Sequence, residues 1–449
     1  MKFTNFFSFA ILFTSILFTS FIYYKSEIIF NGTRIDYYQI YYYSGVCLII
    51  FSILSFYFNK SVKINITIII FSSLFSVYIF QSILMLNFFK DDIQDTRYKI
   101  AQKNNISFDN RSINEVYNDL KNIGEDITIS VAPTNFLNFK NDFLPLGGVA
   151  NKKTIHCNES GYYSIYKSDR FGFNNPNDEW NKKELEYLLI GDSFVHGSCV
   201  NERDTISGNL RTFNKQRGVI NLGYRGNGSL IEYATLKEFG KKIPVRNILW
   251  FYYGNDIKDL AGELDNEILK KYLEDKSFNQ NLEKKPSEID NYLAKIIDAK
   301  LLSKNNYIYN FIKLGPLRSY IYGLVNNNAT INEIDYDVVF KKFEHILHQA
   351  NNFAVENNSE FYFIYLPMIH RYNSNDANDA NDANDDDVIY YDKIINIVEN
   401  LGISIIDINE ELFLKSENPM TLFPFGVHGH YTAEAYKDIA SIIINRTKK

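Results

Sequence analysis

Two polar side chains, far apart in the sequence, could together carry out nucleophilic chemistry. Ser193 lies in the tripeptide Gly191-Asp192-Ser193, directly after the apolar run 188–190. His430 lies near the carboxyl terminus, just before a stretch with helical periodicity. A serine hydroxyl becomes an effective nucleophile when an imidazole removes its proton. Alternatively, a serine at such a turn only caps the helix that follows it.

Glycine and asparagine residues follow two further apolar runs. Gly226 and Gly228 lie in the loop after residues 219–222, and Gly254-Asn255-Asp256 follows residues 247–253. Backbone N–H groups beside glycines and an asparagine amide are suitable donors to an oxyanion. Ligands of parallel sheets bind at the carboxyl ends of the strands, which is where these groups would lie.

The chain after Trp180 alternates short apolar runs with amphipathic segments. This alternation predicts a parallel sheet with helices on both faces. The predicted strands are 187–190, 219–222, 247–253, 360–366 and 403–408, and the predicted helices include 205–216, 230–241, 388–401 and 433–445. A helical insertion at about 260–335 is expected to cap an edge of the sheet. The acidic tract 373–387 is predicted to be disordered, and it lacks the glycine and the spacing of a calcium loop.

The order of these motifs resembles the SGNH hydrolase (GDSL-like) superfamily over about residues 185–447, the insertion excepted. The resemblance implies a flavodoxin-like three-layer α/β/α domain that needs no cofactor. It also implies that Ser193 is the nucleophile, that His430 is its base, and that Ser193, Gly226 and Asn255 form the oxyanion hole. Gly228 competes with Gly226 for that role. Further candidates for the pocket are Asp192, His428 and Gly228.

One departure from the family pattern concerns the acid that orients the base. The family usually has an aspartate three residues before the histidine, and here that residue is Val427. Without a carboxylate the imidazolium loses its stabilising partner. A Ser–His dyad would then need a backbone carbonyl or another acid to hold the ring.

Residues 90–180 are predicted to form a stalk followed by an extended leader. The segment from Cys157 to Pro176 resembles a leader of some bacterial membrane-linked SGNH proteins. It could lay an edge strand against the sheet and bring Cys157 near Cys199, six residues after Ser193. The two cysteines could form a disulfide or could be two buried thiols, and the sequence is compatible with both.

Three other histidines carry weaker signals. His196 could line the pocket. His345 and His348 lie three residues apart without an apparent third ligand, so no metal site is predicted.

Three apolar stretches, at about 6–24, 40–58 and 64–89, are each long enough to cross a bilayer as a helix. The first lacks a small-x-small cleavage site, and two spans follow it, so an anchor is favoured over a signal peptide. Lys60 and Lys63 lie in the short second loop, which predicts that this loop is cytoplasmic and that residue 90 onward is extracytoplasmic. The mixed charges of the loop at 25–36 argue weakly against this orientation.

These features predict an enzyme of the inner (cytoplasmic) membrane. We expect a serine esterase that acts through an acyl-enzyme on acyl esters of an envelope glycan or a lipid-linked substrate. One alternative is an O-acyltransferase on surface polysaccharide. Another is a catalytically silent polysaccharide-binding module, which Val427 favours. A net charge of -6 argues against nucleic acid as a partner.

Overall fold

The protein is described by a computed structural model over residues 3–32, 34–88, 92–138, 142–213, 216–304, 307–328, 334–372 and 386–448. Residues 373–385 of the predicted acidic tract, and residue 89 of the third predicted span, lie outside the described residues. The chain forms two compact units. The apolar unit comprises Met1–Lys90, Asn138–Asp142 and Tyr307–Asn328, and the sheet unit comprises Asp91–Leu137, Phe143–Asn306 and Ala329–Lys449.

The helices and strands are numbered in chain order. The helices are α1 Phe3–Tyr23, α2 Ile35–Leu54, α3 Lys60–Phe88, α4 Asp92–Lys103, α5 Ile113–Asn122, α6 Ser193–His196, α7 Ile206–Phe213, α8 Ser229–Phe239, α9 Asp256–Glu263, α10 Glu267–Glu274, α11 Pro286–Lys304, α12 Tyr307–Ile312, α13 Gly315–Asn328, α14 Tyr336–Glu356, α15 Asp386–Ile389, α16 Tyr391–Asn400, α17 Ile408–Glu411 and α18 Ala433–Thr447. The strands are β1 Ile127–Ile129, β2 Lys153–Ile155, β3 Ile165–Lys167, β4 Leu185–Ile190, β5 Gly218–Asn221, β6 Val245–Tyr253, β7 Glu360–Leu366 and β8 Ser404–Asp407.

The apolar unit contains three helices that are long and apolar enough to cross a membrane. Their candidate spans are Phe6–Ile29, Tyr37–Tyr57 and Lys60–Met85, which include most of the predicted stretches. Aromatic side chains such as Phe71 and Phe75 point outward and are about 70% exposed. A helix that presents apolar side chains on its outer surface is suited to lipid, where its backbone hydrogen bonds are satisfied internally. The chain is therefore membrane-associated.

The sheet unit is built on five parallel strands in the order β5-β4-β6-β7-β8. All five coincide with the predicted strands to within a few residues. By position in the chain this order is 2-1-3-4-5, the flavodoxin-like arrangement. Its crevice for ligands lies beyond the carboxyl ends of β4 and β6, where the strand order reverses.

Helices cover both faces of this sheet. On one face α7 and α18 pack together, and their apolar residues share a buried cluster with alternate residues of the strands. On the other face α8 packs against α14, and Phe343 of α14 contacts Tyr252 of β6 with ring centroids 5.6 Å apart. The predicted three-layer fold class is confirmed.

The leader differs from its prediction as a stalk and an edge strand. Helices α4 and α5 belong to the sheet unit. Strands β1 to β3 form a separate three-stranded sheet, in which β1 and β2 are parallel and β2 and β3 antiparallel. The leader is therefore folded, and it does not extend the five-stranded sheet.

The insertion at about 260–335 also differs from the predicted cap over an edge of the sheet. Helices α9 to α11 belong to the sheet unit, whereas α12 and α13 belong to the apolar unit. Residues 307–325 contain only two charged residues, Lys313 and Arg318, which suits them to apolar surroundings.

Candidate active site

Ser193 is the first residue of the short helix α6, at the turn that follows β4. A glycine is needed at position 191, because a Cβ there would lie 2.4 Å from Val195 Cγ2. Asp192 caps α6, since its carboxylate accepts a hydrogen bond from the Phe194 N–H at 2.8 Å. The capping role considered for Ser193 thus falls to Asp192, and the serine hydroxyl is free for other contacts.

The Ser193 hydroxyl faces His430. Its Oγ lies 2.9 Å from His430 Nε2 and 3.2 Å from Asp192 Oδ2. His430 is positioned by the start of α18 three residues later and by the Phe194 ring, whose centroid is 4.8 Å from the imidazole. The tertiary structure therefore brings together the two residues that the sequence singled out, 237 positions apart.

Glu159 supplies the carboxylate that Val427 cannot. Its Oε1 lies 3.1 Å from His430 Nδ1, and its Oε2 accepts the backbone N–H of His430 at 2.7 Å. One carboxylate therefore holds both the ring and the main chain of His430. Because Nδ1 donates to this carboxylate, Nε2 carries the lone pair that faces the serine.

The surroundings of Glu159 keep its carboxylate charged. Burial by itself raises the pKa of this group. The charge and hydrogen bonds of His430, together with the charge of Arg97, outweigh burial and lower the pKa of Glu159 to about 2. Glu159 is therefore ionised at neutral pH, as a partner of an imidazolium must be.

Arg97, on helix α4, braces this carboxylate from behind. Its Nη2 lies 3.5 Å from Glu159 Oε1 and donates to the backbone carbonyl of His428 at 2.5 Å. Gly429 leaves room for both groups, because a Cβ there would lie 2.6 Å from Arg97 Nη2 and 2.7 Å from Glu159 Oε2. A side chain at position 429 would therefore displace the Arg97 guanidinium or the Glu159 carboxylate from its present position.

A disulfide joins the leader to the nucleophile turn. Cys157 is bonded to Cys199, with Cα atoms 4.9 Å apart. Cys157 precedes Glu159 by two residues, and Cys199 follows Ser193 by six. The covalent link therefore holds the loop after β2, which carries the carboxylate, beside the turn that carries the serine.

Of the two candidate glycines after β5, Gly226 is the one available to a ligand. Gly228 precedes α8, and its N–H donates to Glu263 Oε1 at 2.6 Å. Gly226 has a φ of +73°, in the left-handed region that glycine adopts easily. Within the described part of the chain, no hydrogen bond engages its N–H.

Asn255 follows β6, and its amide is oriented by Asp259 one helical turn later. Asn255 Nδ2 donates to Asp259 Oδ2 at 2.6 Å, which leaves the second N–H of the amide for another acceptor. Burial and the negative charge of Asp192 raise the pKa of Asp259 to about 6. Asp192 is itself buried, and burial raises its pKa.

His196 is a buried support for the glycine loop and does not line the pocket. Its Nδ1 accepts the Arg225 N–H at 3.3 Å, so its Nε2 carries the proton and donates to Tyr166 OH at 3.0 Å. Burial and the charge of Arg225 lower the pKa of His196 well below its usual range. A neutral His196 thus holds the backbone N–H of Arg225, the residue before Gly226.

The His428 side chain is exposed at the surface and lies beside His370, with the two ring centroids 5.3 Å apart. Partial desolvation by its neighbours, together with the charge of His370, lowers the pKa of His428. Its backbone carbonyl is the group that accepts from Arg97. His428 therefore contributes to holding the loop that carries His430.

The predicted histidine pair on α14 does not gather metal ligands. His345 and His348 each bond to an amide of their own helix, on Gln349 and Asn352. Over the residues that the structure describes, one group of histidine, cysteine and acidic side chains is close enough to share an ion, namely Glu159, Cys199 and His430. The sulphur of Cys199 is already bonded in the disulfide.

Sequence reasoning missed Glu159 and Arg97. The only signal for Glu159 was its place two residues after Cys157, because a disulfide to Cys199 would bring it close to Ser193. Arg97 carried no signal, since it lies in a charged helix with the composition of a stalk. The assembled Ser193, His430 and Glu159 have the geometry required for acyl transfer through a serine nucleophile.

Comparison with known proteins gives structural matches only. No known protein family and no curated protein matches the chain. Solved structures that match include a member of the lipolytic protein G-D-S-L family from Veillonella parvula DSM 2008, with 12% identity and a TM-score of 0.32 over 59% of this chain and 98% of that one. An acetyl xylan esterase matches with 11% identity and a TM-score of 0.32 over 59% of this chain and 100% of its own.

An α/β hydrolase enzyme from the metagenome of Lake Arreo, Spain, matches with 12% identity and a TM-score of 0.32, over 60% of this chain and 96% of its own. At this TM-score the likeness does not extend to the site or the substrate. The resemblance of this chain to SGNH hydrolases rests on its own motifs, its strand order and the contacts of Ser193, His430 and Glu159.

Proposed function

We propose that this protein is a membrane-anchored serine esterase that acts on acyl esters of an envelope glycan or a lipid-linked substrate. The observation that carries the proposal is the unbroken hydrogen-bonded series from Ser193 through His430 to Glu159. A buried carboxylate, a correctly oriented imidazole and a serine at a strand end are the three parts that activate a serine nucleophile.

In the first half of the reaction, Ser193 Oγ attacks the ester carbonyl carbon while His430 Nε2 takes the hydroxyl proton. The resulting imidazolium is stabilised by the ionised Glu159. The negative charge on the carbonyl oxygen is stabilised by the N–H groups of Ser193 and Gly226 and by the Asn255 amide. Collapse of this intermediate releases the alcohol, which takes the proton from His430, and leaves an acyl group on Ser193.

In the second half, a hydroxyl compound attacks the acyl group and His430 again accepts the proton. If the attacking compound is water, the products are the free acid and the enzyme. If it is a sugar hydroxyl, the acyl group is transferred to a polysaccharide. Product analysis with and without an acceptor sugar distinguishes the esterase from the acyltransferase.

Glu159 weakens the case for a catalytically silent binding module. That alternative drew its support from Val427 in the place of the usual aspartate. Because Glu159 holds His430 Nδ1, the absence of an acid at position 427 no longer argues against catalysis.

An extracytoplasmic location is supported by two features. Lys60 and Lys63, in the first turn of α3, favour a cytoplasmic junction between α2 and α3, and hence an external sheet unit. The disulfide between Cys157 and Cys199 is of a kind that persists in oxidising compartments. A substrate at the cell envelope fits both features.

Reaction with a fluorophosphonate probe tests the proposal, since such a probe labels an activated serine. We expect the full chain to be labelled and Ser193→Ala to lose labelling, with an unchanged circular dichroism spectrum. Ser287→Ala is a matched control, because Ser287 lies exposed on α11. Absence of labelling, together with no ester hydrolysis at any pH between about 6 and 9 where a histidine base operates, would overturn the esterase.

A further inference from the structure

We propose that α12 and α13 form an interfacial membrane anchor that binds the outer surface of a lipid bilayer, beside the beginning of α2 and the end of α3. The inference goes beyond the esterase function and does not depend on it. It rests on contacts within the apolar unit, to which both helices belong.

Helices α12 and α13 are hydrogen-bonded to the carboxyl-terminal part of α3. The Tyr78 hydroxyl donates to the Ile312 carbonyl at 3.2 Å. Gln81 makes two bonds, because its Nε2 donates to the Asn310 carbonyl at 3.3 Å and its Oε1 accepts the Leu317 N–H at 3.0 Å. A buried glutamine in a candidate span is therefore satisfied by the backbone of the helix pair.

The position of Gln81 along α3 sets the depth of the helix pair. Gln81 is 21 residues after Lys60, which is about 32 Å along a helix that rises 1.5 Å per residue. The hydrocarbon core of a bilayer is about 30 Å thick. If Lys60 marks one boundary of the core, Gln81 and its partners lie at the opposite boundary.

A contact with α2 places the helix pair at the same depth in the bilayer. Arg318 Nη2 donates to the Tyr37 hydroxyl at 2.9 Å, and Tyr37 is in the first turn of α2. Because α2 and α3 run in opposite directions across a bilayer, the beginning of α2 and the end of α3 lie on the same side. Tyrosines and arginines are the side chains expected at such an interface.

The outward-facing side chains of the pair continue the apolar surface of α3. Ile312, Tyr320 and Ile321 are 61%, 47% and 49% exposed. The Tyr320 ring lies 5.7 Å from the ring of Phe80, which is itself exposed on the span. Lipid that covers Phe80 would therefore also cover Tyr320, and this continuity identifies a bilayer as the partner.

Spin labelling of the full chain in phosphatidylcholine vesicles tests this proposal. Single cysteines replace Ile312 and Ile321 in a Cys47→Ser background, and the native disulfide is left intact. The collision rate of each nitroxide is measured with oxygen, which concentrates in lipid, and with a water-soluble nickel chelate. We expect the oxygen-to-nickel ratio at both positions to exceed, by several fold, that of a label at Leu414, an exposed residue of the sheet unit.

A label at Phe75 provides the reference for a lipid-facing position. Ratios at residues 312 and 321 that equal the Leu414 ratio would overturn the proposal. As a second measurement, Tyr320→Trp keeps an aromatic ring against Phe80. Its fluorescence should be quenched by brominated lipids, while the native Trp180 and Trp250 are buried. An unquenched Trp at position 320 in a folded chain would likewise exclude a bilayer contact.

Discussion

The candidate active site is assembled from two regions of different kinds. One is the set of sheet-end motifs, Ser193, Gly226, Asn255 and His430, which follow strands or precede the last helix. The other is the set of leader residues, Arg97, Cys157 and Glu159, which come from the segment before the sheet. The sheet-end motifs carry the groups that would touch a substrate, whereas the leader residues hold the base and the nucleophile turn in place.

This difference shows that the carboxylate that orients the histidine base can come from different places in the sequence and still act in the same way. What the base requires is a charged oxygen beside Nδ1, and the chemistry does not depend on which loop delivers it. Here the segment that carries Glu159 is held in place by two interactions, the disulfide of Cys157 and the ion pair with Arg97. The predictions below test whether the leader residues are as necessary as this arrangement implies.

The largest effect is expected for Glu159→Gln. A neutral amide cannot stabilise the imidazolium, and the corresponding change in serine proteases lowers kcat by about 10⁴-fold. We expect a loss of about 10³- to 10⁴-fold in kcat for ester hydrolysis, with KM changed little. Asp178→Asn is the control, because Asp178 is an exposed carboxylate of the same leader.

Adding Val427→Asp to Glu159→Gln sharpens the comparison. We expect no rescue, because the glutamine still occupies the space beside Nδ1. Full activity in Glu159→Gln alone would show that the acid comes from elsewhere.

A smaller effect is expected when the disulfide is removed in Cys157→Ser/Cys199→Ser. The leader would no longer be tied beside the nucleophile turn, and a displacement of about 1 Å can cost about 10²-fold in rate. We expect the rate of acylation by a chromogenic ester to fall by about 10- to 100-fold, and the wild-type chain to respond in the same way to a reductant. Unchanged acylation in the reduced chain would show that the disulfide does not position Glu159.

The effect of Arg97→Gln should be smaller again. A hydrogen bond to a charged group contributes about 1.5–3 kcal/mol, so we expect kcat/KM to fall by about tenfold or somewhat more. The charge of Arg97 lowers the pKa of Glu159, so its loss raises that pKa and the acid limb of the pH profile should move to higher pH. Arg97→Lys should restore part of the activity.

Arg111→Gln is the matched control for Arg97, because the Arg111 guanidinium is half exposed and its ion pairs lie at the surface. A tenfold loss in this control would assign the effect to general destabilisation of the leader. A wild-type pH profile in Arg97→Gln would mean that Arg97 does not act through Glu159.

The smallest effect concerns stability in acid. The pKa of Glu159 is lowered from 4.5 to about 2 in the folded protein, so its ionised form stabilises the fold. That contribution is complete above about pH 4.5 and is lost as the pH falls towards 2. In Glu159→Gln we therefore expect the unfolding temperature to depend less on pH in this window than in the wild type. An identical dependence in both proteins would contradict the lowered pKa.

The residues of the sheet unit predicted much of its architecture. Strands β4 to β8 were visible as short, mainly apolar runs, because strands covered by helices on both faces are rich in apolar residues. Ser193, Gly226 and Asn255 were visible because they lie in the loops that follow these strands. Parallel sheets bind their ligands at that end, so glycines and polar residues there are candidates for a site. The three long helices of the apolar unit were visible because a helix that crosses a bilayer needs about twenty apolar residues in succession.

Two further features depended on contacts that leave no periodic trace in the sequence. The difference between Gly226 and Gly228 depends on Glu263, which accepts the Gly228 N–H and leaves Gly226 as the candidate donor to an oxyanion. The assignment of α12 and α13 to the apolar unit was made by Gln81 and Tyr78, more than two hundred residues earlier in the chain. A single polar contact of this kind changes no local pattern in either of the segments that it joins.

The sequence by itself determined the order of the motifs, the parallel sheet and the helices that are long and apolar enough to span a membrane, because each follows from local hydrophobicity or from a turn at a strand end. The pairing of Ser193 with His430 was predicted from the resemblance of that motif order to SGNH hydrolases. Only the tertiary structure decided which carboxylate completes that pair. Glu159 and His430 are 271 residues apart, and their meeting depends on the path of the leader, the disulfide and the space left by Gly429. Electrostatic stabilisation acts between neighbours in space, so the acid can be identified only once the fold has brought it to the base.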